Sequence, residues 1–274
     1  MSTVTEIEIN EGVDGESTSI PIKDEPTVED LRKKFLSQSP LLPSCCIFRV
    51  PEVIRRQKIE AYEPNIVSIG PMHRHHRDKK FKFFEDVKRW YLHCLLSSPT
   101  DISLESLIKG IMALGKSTRD CYDCYAYPLD PLDNLKEKDF VEMMILDGCF
   151  LLELFRKECF YELQEDYDPV FNVSCMREHL YHDLLLLENQ LPWSVLECLY
   201  NLTANSPSQS ASLTYLVLNF FRQSPADVLM LNHNFRLPCK ILHILDLVRI
   251  ISFVAAFILL VLTLVQTLYA IQWP

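Results

Sequence analysis

The sequence predicts a mainly α-helical globular domain with a small β element and one C-terminal transmembrane helix. Three observations lead there. Apolar residues recur at three- and four-residue spacing through most of the chain, which is the period of a helix face. Only CCIFRVP (Cys45–Pro51) and NIVSIGP (Asn65–Pro71) read as β-favouring runs, and each is closed by a proline, enough for a small two-stranded element. Ile250 to Ile271 form an uncharged run, IISFVAAFILLVLTLVQTLYAI.

The elements follow in order. Residues 1–26 are acidic and lack an apolar core, so they read as a disordered leader rather than a secretory signal. Pro26 and Thr27 followed by Asp30 resemble a helix cap, opening a short helix through about Gln38 that Pro40 and Pro43 close. From Lys79 to Leu96, the residues Phe84, Val87, Tyr91, Cys94 and Leu95 make one apolar stripe. A second helix is expected from Leu104 to about Tyr125, before Pro128 and Pro131. Lys136 to Cys159 is a third, more hydrophobic helix that should be deeply buried. Arg177–Gln190 and Pro192–Leu202 form a helical pair, with Pro192 suited to a first helical position. A polar linker over Thr203–Ser210 and an apolar segment over Leu213–Phe221 lead toward the end of the chain. Residues 27–235 thus form the helical domain, 236–249 a basic juxtamembrane segment and 250–271 the span.

At ~1.5 Å per helical residue, Ile250–Ile271 reaches roughly 33 Å, enough for a bilayer core of about 30 Å. Fourteen of its residues are Leu, Ile, Phe or Val, and Gln266 is its only strongly polar member. Arg236, Lys240 and Arg249 precede the run and no basic residue follows it, so the N-terminal domain is expected on the cytoplasmic side of a single-pass protein. The formal net charge of −10 argues against a general nucleic-acid binder, which needs a basic face. Ten cysteines lie mostly in apolar segments, as expected of thiols in a reducing compartment. Two glycosylation sequons, at Asn172 and Asn201, would matter only in the opposite orientation.

Gly110-Ile-Met-Ala-Leu-Gly115-Lys116-Ser117 satisfies the phosphate-loop pattern letter for letter, and Met143-Met-Ile-Leu-Asp147 resembles a strand ending in a magnesium-binding aspartate. A nucleotide-binding enzyme using Gly110, Gly115, Lys116, Ser117 and Asp147 is therefore the alternative reading. The motif needs a strand before its first glycine. Here Leu104, Leu107, Ile108, Ile111 and Met112 keep helical spacing straight through the supposed loop. Cys121-Tyr-Asp-Cys124 is a lone pair, and only Cys45-Cys46 or His73, His75 and His76 could complete a zinc site with it. The basic loop HRHHRDKK is expected in solvent, or against anionic lipid. Asp147 lies among apolar residues and must be paired, hydrogen-bonded or protonated. Asp183, Glu188, Asn189 and Gln190 flank the break at Leu191-Pro192 and are expected to satisfy open helix ends. No catalytic, cofactor or metal residue is expected, and no small-molecule substrate.

IFRVPEVIRRQKIEAYEPNIVSIGP (Ile47–Pro71), the Arg119-Asp-Cys-Tyr122 element, FVEMMILDGCFLLEL (Phe140–Leu154), HDLLLLENQLPWSVL (His182–Leu196), LNFF (Leu218–Phe221), ILDLVR (Ile244–Arg249) and AAFILLVLTLVQT (Ala255–Thr267) follow one another in this order. Together these segments resemble the plant family known as domain of unknown function 247. Members of that family carry a long second half between the ILDLVR-like element and the terminal segment, whereas here Arg249 runs directly into Ile250. The chain thus resembles a short form. The resemblance implies a membrane-associated plant protein without established enzymatic activity, in a family where some relatives are implicated in self-incompatibility recognition in grasses. The expected role is binding or recognition at a membrane, with a protein partner or self-association.

Overall fold

A computed structural model describes residues 27–35, 43–74, 79–97, 102–122, 135–204, 211–222 and 240–272. The chain divides into two compact units, Met1–Pro40 and Leu41–Pro274. In the first, α1 (Val28–Lys34) starts at Thr27, whose hydroxyl accepts from the Asp30 N–H while the Asp30 carboxylate accepts from the Thr27 N–H. This capping box is the cap expected there, and the Thr27 hydroxyl also holds the Asp30 carboxyl below its usual range. The leader and the stretch toward Gln38 lie outside the described residues.

The second unit is built around one helix. Its elements are α2 (Glu52–Arg55), α3 (Lys82–Ser97), α4 (Leu104–Leu114), α5 (Lys116–Arg119), α6 (Glu137–Cys159), α7 (Ser174–Leu184), α8 (Trp193–Leu202), α9 (Leu213–Phe221) and α10 (Ile244–Gln272), with short 3-10 turns at Ile59–Ala61 and Tyr161–Leu163. Helix α6 packs against α3, α4, α8 and α9. It is buried on nearly every side from Phe140 to Glu158, where apolar residues predominate and the charged members Asp147, Glu153, Arg156, Lys157 and Glu158 are buried with them. Phe150 sits against Phe84 and Tyr91 of α3, while Phe155 meets Phe220 and Phe221 of α9.

Three expectations change. The helix expected from Leu104 to Tyr125 breaks at Gly115, which closes α4 at φ +50°, a conformation that costs glycine little and other residues much. Helix α7 stops at Leu184 rather than running to Gln190, and Pro192 caps α8 instead of occupying its first turn. The small β element is absent: the described residues contain no strand, only one parallel bridge between Ile47 and Tyr122. Asn65–Gly70 is irregular, bent at Asn65, Ile66 and Gly70, and pairs with no strand among the described residues; side chains take up its backbone groups instead.

The C-terminal run lies inside α10, a single helix of 29 residues. Among the described residues, however, no helix is long and apolar enough to cross a membrane, so the expected transmembrane helix is found only as a helix. The side chains at 251, 254, 255, 258 and 269–272 lie outside the described residues.

Candidate functional site

Asn65–Gly70 is clasped by four polar side chains. The N–H groups of Asn65, Ile66 and Val67 all donate to the Asp183 carboxylate, at 2.7, 2.8 and 3.0 Å. The Ile69 N–H donates to Asn189 Oδ1 at 2.6 Å, and Asn189 Nδ2 returns a bond to the Val67 carbonyl at 3.0 Å. The Gly70 N–H donates to Asp147 Oδ2 at 2.8 Å, and Lys88 Nζ donates to the Ser68 carbonyl at 2.6 Å. Gly70 has φ +72°, and a Cβ there would stand 2.7 Å from the Gln190 carbonyl, so the clasp admits only glycine at that point.

Asp147 is the buried, paired carboxylate its sequence context requires. Its Oδ1 lies 2.7 Å from Lys88 Nζ, and Lys88 also reaches Glu85 at 2.6 Å. Burial pushes the Asp147 carboxyl above its usual range, with the Lys88 ammonium opposing that shift. Glu188 accepts from the Val50 N–H at 2.5 Å, pairs with Arg55 and stands 3.6 Å from His73 Nε2. Only part of the LLENQL polarity serves a helix end. Gln190 Nε2 donates to the Leu184 and Leu186 carbonyls, and Asn189 Nδ2 to the Asp183 carbonyl. Asp183 and Glu188 instead hold backbone more than a hundred residues earlier in the chain. Asp147, Asp183, Glu188 and Asn189 are all 2% exposed or less, so the clasp is buried and its polar groups are committed to backbone and to one another.

A second buried cluster has the same character. Lys157 Nζ lies 2.8 Å from Asp168 and 2.5 Å from Glu165, beneath the rings of Trp90 and Tyr91. Burial works against the Lys157 ammonium, but its bonds to Asp168 and Glu165 prevail and raise its pKa. The Tyr91 hydroxyl donates to Asp168 at 2.9 Å, and burial, then the Asp168 charge, pushes that phenol far above its usual range. Such a phenol is poorly suited to proton transfer near neutrality.

The phosphate-loop residues do not form a loop. Gly110 lies within α4, where a Cβ would stand 2.5 Å from Leu202 Cδ1; its lack of a side chain lets α8 approach α4 closely. Gly115 ends α4, and Lys116 and Ser117 begin α5, exposed, with Ser117 Oγ donating to the Leu114 carbonyl. Asp147 is committed to Lys88 and Gly70. We therefore expect Lys116→Ala to change stability by no more than about 0.5 kcal/mol and to leave melting insensitive to added ATP or GTP. A nucleotide-dependent rise in melting temperature that the substitution removes would contradict this geometry. Of the possible metal ligands, Cys124, His75 and His76 lie outside the described residues, and no metal-binding group of three side chains occurs among those described.

Among the described residues, a surface open to a ligand lies elsewhere. A groove of about 500 Å³ runs between α3, α4 and α6. Val141, Ile145 and Leu146 form its floor, Leu92 one wall, and Leu104, Ile108 and Met112 the other, with Arg89, Glu137, Lys138 and Glu142 at its rim. Leu104, Ile108 and Met112 are 46%, 37% and 57% exposed, whereas Leu107 and Ile111 on the inner face of α4 are buried. The sequence carried a signal for this groove: the apolar arc of α4 is broader than one buried face requires. Contiguous exposed apolar surface of this kind marks contact sites.

The DUF247 family profile, described as a plant protein of unknown function, matches residues 47–261. The UPF0481 protein At3g47200 of Arabidopsis thaliana is 34% identical over 210 residues, covering 75% of this chain and 41% of that protein. The chain therefore spans about two fifths of the length of this relative. No solved structure matches it. The segments that build the clasp, from Ile47 through Asn189, all fall within the matched region, and the chain belongs to the DUF247 family of plant proteins of unknown function.

Proposed function

We propose that this chain is a non-enzymatic binding module, held at a membrane by Ile250–Ile271 with its helical domain on the cytoplasmic side, that recognises a second copy of its own fold through the α3–α4–α6 groove. The observation that carries the reading is the surface of α10. Phe253, Phe257, Leu259, Leu260, Val261, Leu262, Leu264, Val265 and Leu268 are each 40–67% exposed. In water that much apolar surface on one helix is unfavourable; in lipid it is not. Three hydroxyls on this helix are satisfied within it: Ser252 donates to the Val248 carbonyl, Thr263 to Leu259 and Thr267 to Thr263. Helices in hydrocarbon, where water cannot serve, need such internal bonds.

The choice of partner rests on the rim of the groove. Arg89 and Lys138 stand there with Glu137 and Glu142, so the rim carries both signs. A two-fold contact places one patch against its own copy, and a mixed rim can then pair cation with anion. Two measurements on the full chain test the reading. Alkaline carbonate extraction should leave the protein in the membrane pellet, and deletion of Ile250–Pro274 should release it. Sedimentation in detergent should show a dimer that Met112→Glu converts to a monomer without loss of helicity. Full-length protein released by carbonate would refute the anchor, and an unaltered dimer in Met112→Glu would refute the groove.

A further inference from the structure

The CCIFRVP segment and the Arg119-Asp-Cys-Tyr122 element meet edge to edge. The N–H groups of Cys46 and Ile47 both donate to the Cys121 carbonyl at 2.9 Å, and Ile47 bridges Tyr122. A direct backbone bond of that length sets the two Cα atoms at a separation compatible with a disulfide, about 4.4–6.8 Å. The side chains meet as well: a hydrogen bond links the Cys46 and Cys121 sulfurs, and Cys121 Sγ donates to the Ser117 carbonyl at 3.3 Å. Both sulfurs are present as thiols. Cys46 is buried and Cys121 half-buried, so Cys121 is the more accessible residue of the two.

We propose that Cys46 and Cys121 form a redox-active dithiol that hydrogen peroxide converts into an intrachain disulfide. Attack of the Cys121 thiolate on peroxide breaks the O–O bond and forms an S–O bond, giving a sulfenic acid and releasing hydroxide. The Cys46 sulfur then attacks the Cys121 sulfur. The S–S bond forms, the S–O bond breaks, and the departing hydroxide leaves as water with the Cys46 proton. Both sulfurs are oxidised by one electron each and peroxide is reduced by two, with two waters formed in all.

The surroundings suit this division of labour. The bond from Cys46 lowers the Cys121 pKa and favours its thiolate, burial opposes this, and the nearby Asp120 and Lys240 charges act in opposite directions. Cys46 is held protonated by that same bond, by burial and by the neighbouring Cys121, Cys45 and Asp246 groups. His243 bonds the Cys46 backbone and accepts from the Asp246 N–H at 3.3 Å, which places the pair at the root of α10. Closure would tie Cys46 covalently to the end of α5. Cytosolic disulfides of this kind are transient and regulatory rather than permanent.

The test uses the full chain in detergent. Protein is reduced, desalted, exposed to stoichiometric hydrogen peroxide, blocked with iodoacetamide and digested without reductant for mass spectrometry. The expected product is a cross-linked pair of peptides, one with Cys45 and Cys46 and the other with Cys121 and Cys124, short of two hydrogens and separated by dithiothreitol. Cys45→Ser and Cys124→Ser should retain the cross-link, and Cys46→Ser and Cys121→Ser should each lose it. A link surviving in either of the latter variants, a disulfide between Cys121 and Cys124, or sulfinic acid at Cys121 with no link would overturn the proposal. The wild-type cross-link is read without any variant, so a variant that fails to fold leaves the main outcome intact.

Discussion

Asp147→Ala should destabilise the helical domain by about 3–5 kcal/mol, the cost of removing one partner from a buried ion pair. The substitution would leave the Lys88 ammonium, 1% exposed, with only Glu85 and the Ser68 carbonyl, and would orphan the Gly70 N–H. The comparison that isolates the mechanism is the double variant Lys88→Met with Asp147→Leu. Replacing both members by apolar groups of similar size removes the stranded charge, so the pair should cost less than Asp147→Ala alone. Urea midpoints at an unchanged slope would measure both. A near-neutral Asp147→Ala would mean that water reaches Lys88 and that the site is not sealed.

Asp183→Ala should be comparably severe for a different reason. One carboxylate accepts three consecutive backbone donors, from Asn65, Ile66 and Val67, and it is fully buried. An unsatisfied buried donor costs about 1–3 kcal/mol, so losing all three should cost at least about 3 kcal/mol unless the segment pulls away into water. Either outcome is visible. Hydrogen exchange at Asn65–Val67 should accelerate well beyond exchange in α6, because the segment has no sheet ladder to hold it. Asp183→Asn keeps one acceptor oxygen and should fall between wild type and alanine. Equal exchange protection in wild type and Asp183→Ala would show that the carboxylate does not secure this segment.

These two residues also mark where the sequence ceases to be legible. The surroundings of Asp147 in MMILDGCFLL required burial and a partner, because an apolar helix face cannot leave a carboxylate unpaired. That the partner is Lys88 could not be read, since Lys88 lies in an amphipathic helix among many surface charges. Asp183, Glu188, Asn189 and Gln190 stood out as a polar group at a helix break, and the nearest explanation was the open end of α7. Gln190 and Asn189 do serve that end. Asp183 and Glu188 were recruited by backbone that comes 118 and 138 residues earlier. The β-favouring run NIVSIGP was misread for the same reason. It is bent rather than a strand, and its buried N–H groups still need partners, which side chains supply in place of a second strand.

What the sequence determined by itself is local. Helix positions follow from a period of about 3.6 residues, and the start of α1 follows from Thr27 and Asp30. The central place of α6 follows from the density of apolar residues between Phe140 and Phe155. Each depends on residues within a few positions of one another, where covalent geometry fixes the distance. Tertiary structure alone decided the clasp around Asn65–Gly70, the break at Gly115 that sets α5 apart, the contact of Cys46 with Cys121, and the exposure of Leu104, Ile108 and Met112 beside their buried neighbours. A hydrogen bond needs its donor and acceptor about 3 Å apart and aligned. Sequence spacing sets that distance within a turn of helix, but across seventy or more residues only the packing of α3, α6, α7 and α8 can bring the two groups together.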